Sequence, residues 1–198
     1  QKGRMVFGKH VIKDVHPVDI VTFRDVIVRS SNIGMSKVGI RLGSESLFSY
    51  LRNFGFGENS GLGLPGETSG ILRNVKTWAK VDVATHSFGQ GVAVTPLQMV
   101  RAISAIANNG LLPELRVVAK DGELPYQRVV SAKAAMQVKD ALYGVVEDER
   151  GTGKKAAVLG VRVGGKTGTA QKAKKDGRGY EEGKYVASFL GFADGAPL

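Results

Sequence analysis

The sequence predicts an α+β fold in which a helical block is followed by an antiparallel β-hairpin. Three observations carry this. Apolar residues recur at helical spacing behind good N-cap residues over most of the chain. A glycine-rich stretch, residues 55–70, separates those helical segments. Near the end, two apolar segments with strand-like alternation flank a run of charges.

The elements follow in order. Residues 1–18 scatter Val6, Phe7, Val11 and Ile12 among glycines and charges, the pattern of a loop or short strand. In TFRDVIVRS, Phe23, Val26 and Ile27 sit at helical spacing behind Thr22 as N-cap. After the polar break Ser30-Ser31-Asn32, Ile33, Val38, Ile40 and Leu42 predict a second helix ending before Gly43. In SESLFSYLRNFG, Ser44 is the expected cap, Leu47, Tyr50, Leu51 and Phe54 form a stripe, and Gly55 ends the helix. TPLQMVRAISAIANNG has the strongest helical signature. Thr95 and Gln98 form a capping box around Pro96, with Leu97, Val100, Ile103 and Ile106 expected inward. A further helix is expected from Ser131 towards Glu147, with Ala135, Val138, Leu142 and Val145 inward, followed by a flexible ERGTGKKAA. Residues 161–171 are expected to pair antiparallel with residues 184–193. The basic cluster Lys172, Lys174, Lys175 and Arg178, broken by Asp176 and Gly177, marks the exposed tip between them.

Composition narrows the function. A 198-residue chain with 42% hydrophobic and 23% charged residues has the make-up of a folded domain, which argues against disorder. No apolar run is long enough to span a membrane, and Gln1-Lys2-Gly3-Arg4 is not the start of a signal peptide, so any targeting segment is expected outside this chain. The absence of cysteine excludes disulfides and thiol chemistry. A net charge of +10 favours anionic partners, but the bases are dispersed, and neither zinc ligands nor an RNA-binding aromatic motif accompanies them. Solvated surface is the better account of the charge; no nucleic acid, metal or cofactor is expected.

The stretch GVRVGGKTGTAQK admits two chemistries. Gly160 and Gly165-Lys166-Thr167 have P-loop spacing, but a P-loop lysine and threonine must open a helix so that backbone N–H groups face phosphate. Here Gly168 and Thr169 follow, and Val161 and Val163 alternate around Arg162, which favours a strand. In a strand, Lys166, Gly168 and Ala170 share one face and Thr167 and Thr169 the other. Lysine and threonine can then hold a carboxylate, and glycine leaves room for a substrate backbone. Lys-Thr-Gly with an upstream Ser-x-Asn is a pairing found in penicillin-recognising enzymes. Ser30-Ser31-Asn32 supplies that partner motif.

Four stretches in this order, SSNIGMSKVGIRLG, FGFGENSGLGLPGE, SFGQGVAVTPLQM and GVRVGGKTGTAQK, resemble landmarks of class B penicillin-binding proteins, over roughly residues 19–193. The resemblance is strongest to the cell-division (septal) subgroup. It implies a transpeptidase (β-lactamase-like) fold in which residues 1–198 are a single partial domain and the hairpin belongs to a larger sheet. It also implies serine acyl transfer: attack on the D-Ala-D-Ala bond of a peptidoglycan stem peptide, release of D-alanine, then transfer of the acyl group to an amine of a second stem peptide. β-Lactams imitate the first substrate.

By the same resemblance, Ser30 relays protons, Asn32 bonds the substrate amide, and Lys166 sets the positive potential and supports transfer through Ser30. Ser31, Thr167, Gly168 and Thr169 belong to the substrate-binding surface, with the Thr169 N–H as an oxyanion-hole donor. Cell-division membrane proteins, including a polytopic glycosyltransferase, are the implied partners, at the extracytoplasmic face of the bacterial inner membrane. The chain departs from the family at one point. No lysine has a serine three positions before it, so the nucleophilic Ser-x-x-Lys motif is not among these residues and the chain is expected to be inactive alone. A penicillin-recognising sensor domain is the alternative within the fold; the Thr95-Pro96-Leu97-Gln98 segment and the glycine-rich stretch favour the transpeptidase. His86, Glu67, Glu147 and Asp148 are expected to be structural or surface groups.

Overall fold

A computed structural model describes residues 3–17, 19–118, 122, 125–174 and 179–195; Lys175, Asp176, Gly177 and Arg178 of the expected hairpin tip lie outside the described residues. Six α-helices, two short 3-10 helices and three separate two-stranded antiparallel sheets make up the described fold. Among the described residues no helix is long and apolar enough to cross a membrane.

The first segment is a hairpin, β1 (Arg4–Phe7) with β2 (His10–Lys13), more regular than the composition suggested. Its turn at Gly8 has φ +55°, a conformation glycine adopts without penalty. The hairpin seals a small core: Ile12 packs with Ile33 and Ala84, flanked by Met5, Phe7 and Phe88.

Helix α1 (Phe23–Val28) starts as expected, Thr22 and Asp25 closing a capping box. Helix α2 (Asn32–Leu42) is capped by the Ser31 hydroxyl, which accepts from the Gly34 N–H at 2.9 Å. Helix α3 (Ser44–Asn53) corrects one expectation: Gly43, at φ +86°, is its N-cap, and Ser44 is already helical. Gly43 also terminates α2, so the abrupt turn between the two helices needs a left-handed residue and displaces the serine by one position. At the other end, Gly55 donates to Arg52 O and Phe56 to Leu51 O, a Schellman closure.

Helix α4 (Lys80–His86) was not expected. Its N-terminus is closed by the Asp82 carboxylate accepting from the Ala79 N–H at 2.8 Å. His86 is buried at its end and stacks on Trp78 with ring centroids 4.3 Å apart, a structural position as expected. Glycine at position 39 lets α2 and α4 touch, since a β-carbon there would lie 2.5 Å from Ser87 Cβ.

Helix α5 (Pro96–Ala107) has the expected capping box and N-terminal proline, but its inner face differs. Leu97 and Val100 are exposed, while Gln98 and Ala105 are buried. Gln98 is buried because its amide nitrogen donates to the carbonyls of Glu58 (2.7 Å) and Ser69 (3.0 Å), and its oxygen accepts from the Thr95 N–H (2.9 Å). One side chain thereby fastens the glycine-rich loop that has no secondary structure of its own. A short hairpin, β3 (Leu111–Pro113) with β4 (Tyr126–Arg128), follows; Leu112 packs with Ala105 and Val129.

Helix α6 (Ala132–Glu147), capped by Ser131, is the axis of the remaining structure. Ala135, Leu142 and Val145 are buried as expected, and Gly144 admits α1, a β-carbon there lying 2.8 Å from Val28 Cγ2. The segment expected to be flexible instead doubles back over the end of α6. Gly153 donates to Val145 O at 2.8 Å, and Gly151 lies too close to that carbonyl for any larger residue. Finally β5 (Arg162–Ala173) pairs antiparallel with β6 (Tyr180–Asp194), Lys166 opposite Leu190 and Gly168 opposite Ser188. Because α6 packs on α1 on one side and β5 on the other, the end of α1 and the middle of β5 come together.

Candidate active site

Ser30 reaches the site through the way α1 ends. Arg29 caps the helix, Ser30 donates to Ile27 O at 3.2 Å, and Ser31 to Val26 O at 3.0 Å. This is again a Schellman closure, and it puts Ser30 in the position normally taken by glycine, with φ +55°. A non-glycine residue in this conformation is strained. The strain aims the hydroxyl at β5: Lys166 Nζ donates to Ser30 Oγ at 2.7 Å and to the carbonyl of Thr167 at 3.1 Å.

Burial of Lys166 disfavours its charged form and brings its pKa from the ordinary 10.5 down to about 8. An amine poised there can give up its proton near neutral pH and recover it. The pair is therefore suited to passing a proton between a hydroxyl and an amine, more than to holding a permanent charge.

Ser31 and Asn32 begin α2 and are anchored to the N-terminal hairpin. The Ser31 hydroxyl donates to Asp14 Oδ2 at 2.8 Å, while Asp14 Oδ1 accepts from the Ile33 N–H at 3.0 Å. Asn32 Nδ2 donates to the Lys13 carbonyl at 3.0 Å. Ser31 is buried and serves as a cap, so its side chain is turned into the fold, while its neighbour Ser30 faces Lys166. Asp14 and the Lys13 carbonyl carry no sequence signature; only the folded hairpin places them here.

On the strand, Lys166 is satisfied at Ser30 whereas Thr167, on the opposite face, meets the hydroxyl of Thr152 at 2.7 Å. Thr152 is the site neighbour that the sequence did not disclose; it sits on the loop that doubles back over α6. A β-carbon at Gly168 would meet only Ser188 Oγ, at 2.6 Å, a contact that rotation of the serine hydroxyl relieves, so strand pairing alone does not require glycine there. Thr169 is exposed. The strand continues unbroken through Lys166 and Thr167, without the helix N-terminus that a phosphate loop needs.

Beneath the site, ion pairs lock α1 to the end of α6. Arg24 pairs with Asp140 (3.0 Å) and Asp148 (3.8 Å), and Arg150 with Asp148 (3.2 Å) and Asp25 (3.4 Å). Hydrogen bonds from Arg150 hold Asp148 below the usual carboxylate range; the Thr22 hydroxyl does the same for Asp25. Glu147 pairs with Arg162 at 3.0 Å, and Glu67 accepts from the Ser60 N–H at 2.6 Å, both structural roles as expected. Among the described residues no three His, Cys, Asp or Glu side chains gather where they could hold a metal ion.

A serine–lysine pair on a helix end and an adjoining strand edge, with Ser-Ser-Asn and Lys-Thr-Gly in sequence order, defines a penicillin-recognising acyl-transfer fold. The sequence profile of the penicillin binding protein transpeptidase domain matches residues 1–197, and the chain belongs to that family. It is 44% identical over 184 residues to stage V sporulation protein D of Bacillus subtilis, covering 87% of this chain and 28% of that protein. It is 37% identical over 184 residues to the peptidoglycan D,D-transpeptidase FtsI of Escherichia coli (strain K12), covering 93% of this chain and 31% of that protein. The fold superposes on the apo transpeptidase domain of Burkholderia pseudomallei penicillin-binding protein 3 with a TM-score of 0.89 at 38% identity, covering 96% of this chain and 57% of that one. The chain thus spans about a third of the length of these curated relatives and just over half of that solved domain.

Proposed function

We propose that these residues carry the second and third motifs of a peptidoglycan D,D-transpeptidase acting at the extracytoplasmic face of the bacterial inner membrane. Its acyl donor is a stem peptide ending in D-Ala-D-Ala, β-lactams compete for the same site, and the nucleophilic serine and the membrane anchor lie outside these 198 residues. The observation that carries the reading is the 2.7 Å contact between Lys166 Nζ and Ser30 Oγ, made by two groups 136 residues apart. When the serine ester forms, the C–N bond to D-alanine breaks and the departing amine needs a proton. Ser30, backed by Lys166, is placed to deliver it, and to take one from the incoming amine when the ester is aminolysed. Thr167, Gly168 and Thr169 line the strand edge against which the donor carboxylate lies, and Asn32 holds its amide. The Ser-Ser-Asn form of the second motif and the likeness to FtsI support a role in septal wall synthesis with a polytopic glycosyltransferase as partner.

Fluorescent-penicillin labelling of the full-length parent protein tests this. Lys166→Ala should slow acylation by about a hundredfold or more, with no loss of thermal stability. Equal labelling rates in folded parent and variant would overturn the assignment.

A further inference from the structure

Helix α6 holds both halves of the Ser30–Lys166 pair through neighbouring residues. Asp140 pairs with Arg24 of α1 at 3.0 Å, and Gly144, one turn later, lets α1 pack close to the helix. Lys139 and Tyr143, immediately before these two, turn to the β5–β6 hairpin instead. Lys139 Nζ lies 2.9 Å from Asp194 Oδ2, and the Tyr143 hydroxyl donates to the same carboxylate. Asp194 is the last residue of β6 and stands opposite Arg162, the first of β5. The Arg162 guanidinium lies 3.8 Å from the centre of the Tyr143 ring and pairs with Glu147, a further turn along α6. Lys139, Tyr143 and Glu147 thus form one row at i, i+4, i+8 that grips the end of the hairpin away from its connecting loop.

The grip reaches Lys166 along the strand. Gly164 shares the face of Lys166, and a β-carbon there would lie 2.5 Å from Phe192 Cζ and 3.1 Å from Tyr143 Cδ1. The backbone of β5 is therefore seated on two rings, which meet edge to face with centroids 5.5 Å apart. Rings alone would let a strand slide. A carboxylate bound by a hydroxyl and an ammonium has a narrower choice of geometry.

The three polar groups also keep their protonation states while Lys166 titrates. Hydrogen bonds from Tyr143 and Lys139 hold Asp194 below the usual carboxylate range. Burial, then the bond to Asp194, raises the Tyr143 phenol above its ordinary value. Burial works against the Lys139 charge, but its bonds to Asp194 and Tyr143 outweigh this and raise its pKa.

We propose that Lys139, Tyr143 and Asp194 are positioning residues for the proton relay, their clamp fixing how deeply β5 lies on α6 and so how Lys166 meets Ser30. The proposal rests on the transpeptidase reading. It gives the relay a fixed frame, because α1 and β5 are both referred to the same two turns of one helix.

The test follows penicillin acylation of the full-length parent across pH and uses the limb of the profile that Lys166→Ala abolishes. Burial lowers the Lys166 pKa, so a strand that lifts and admits water raises it. Asp194→Ala should slow acylation by about tenfold and move that limb up by about one pH unit. Tyr143→Phe, which removes only the hydroxyl, should move the limb the same way by less. Asp194→Asn still offers Tyr143 an acceptor and should recover most of the rate. Gln98→Glu, which destabilises the glycine-rich loop and leaves the clamp intact, should keep the limb where the parent has it. If Asp194→Ala does not fold, Tyr143→Phe carries the test. A limb that stays at the parent position in the folded clamp variants, whatever their rates, overturns the positioning role alone. A limb that moves equally in Gln98→Glu overturns it too, since any loss of stability would then suffice. A folded parent that penicillin does not acylate, or whose profile keeps its shape in Lys166→Ala, overturns the relay reading and the clamp's role with it.

Discussion

The hydroxyls of Thr152 and Thr167 lie 2.7 Å apart, joining the loop that folds back over α6 to the strand that carries Lys166. In the full-length protein Thr152→Val should lower the second-order rate of penicillin acylation by about tenfold, and Thr152→Ser should keep most of it. Thr152 is exposed, so both variants should melt within a few degrees of the parent. Equal acylation by the valine and serine variants would make the contact incidental.

Lys166 predicts an unusual pH dependence of stability. Its folded pKa of about 8 lies below the ordinary 10.5, so between these values the unfolded chain holds the proton that the folded chain has lost. Stability should therefore rise with pH through this window, and the cost of the buried charge should be fully present below pH 8. Lys166→Met should be more stable than the parent at pH 7 by on the order of 2 kcal/mol, after allowance for solvent screening, with the gap closing towards pH 10. Urea titrations at both pH values check this; a gap that stays constant contradicts it.

Gln98 predicts a large stability loss from a near-isosteric change. In Gln98→Glu, a carboxylate would replace the amide that donates to Glu58 O and Ser69 O, putting acceptor against acceptor in a buried place. The variant should lose roughly 2–4 kcal/mol at neutral pH and recover part of it in acid, where the carboxyl is protonated. Chemical denaturation at pH 7 and pH 4.5 measures both.

The 198-residue chain by itself should gain no covalent mass from a β-lactam. Acylation in this family uses a serine three residues before a lysine, no such pair occurs among these residues, and the proposed part of Ser30 is relay and not attack. Intact-mass measurement after incubation decides it, and a stoichiometric adduct would show that the nucleophile is Ser30 or another serine of this chain.

What the sequence revealed is what local chemistry determines. Thr22, Thr95 with Pro96 and Gln98, and Ser131 each announce a helix start, and all three helices begin there. Helix α4 escaped because Val81, Val83 and Thr85 are β-branched and its cap is an alanine closed only by Asp82. The inward face of α5 was misjudged because a buried glutamine breaks the rule that polar residues face out; its partners are backbone carbonyls some 29 to 43 residues away. The site divides similarly. Ser30, Asn32 and Lys166 stand in recognisable motifs, whereas Asp14, the Lys13 carbonyl and Thr152 became visible only through tertiary neighbours.

Ser30 stands where a helix ending of this kind would be most relaxed with glycine. Glycine at position 30 would relax the left-handed backbone. It would also delete the oxygen that Lys166 bonds. That loss leaves a largely buried amine short of an acceptor, which offsets the relaxation, and in the relay proposed above it would remove the proton path, so laboratory evolution of a hardier variant should hold position 30 fixed.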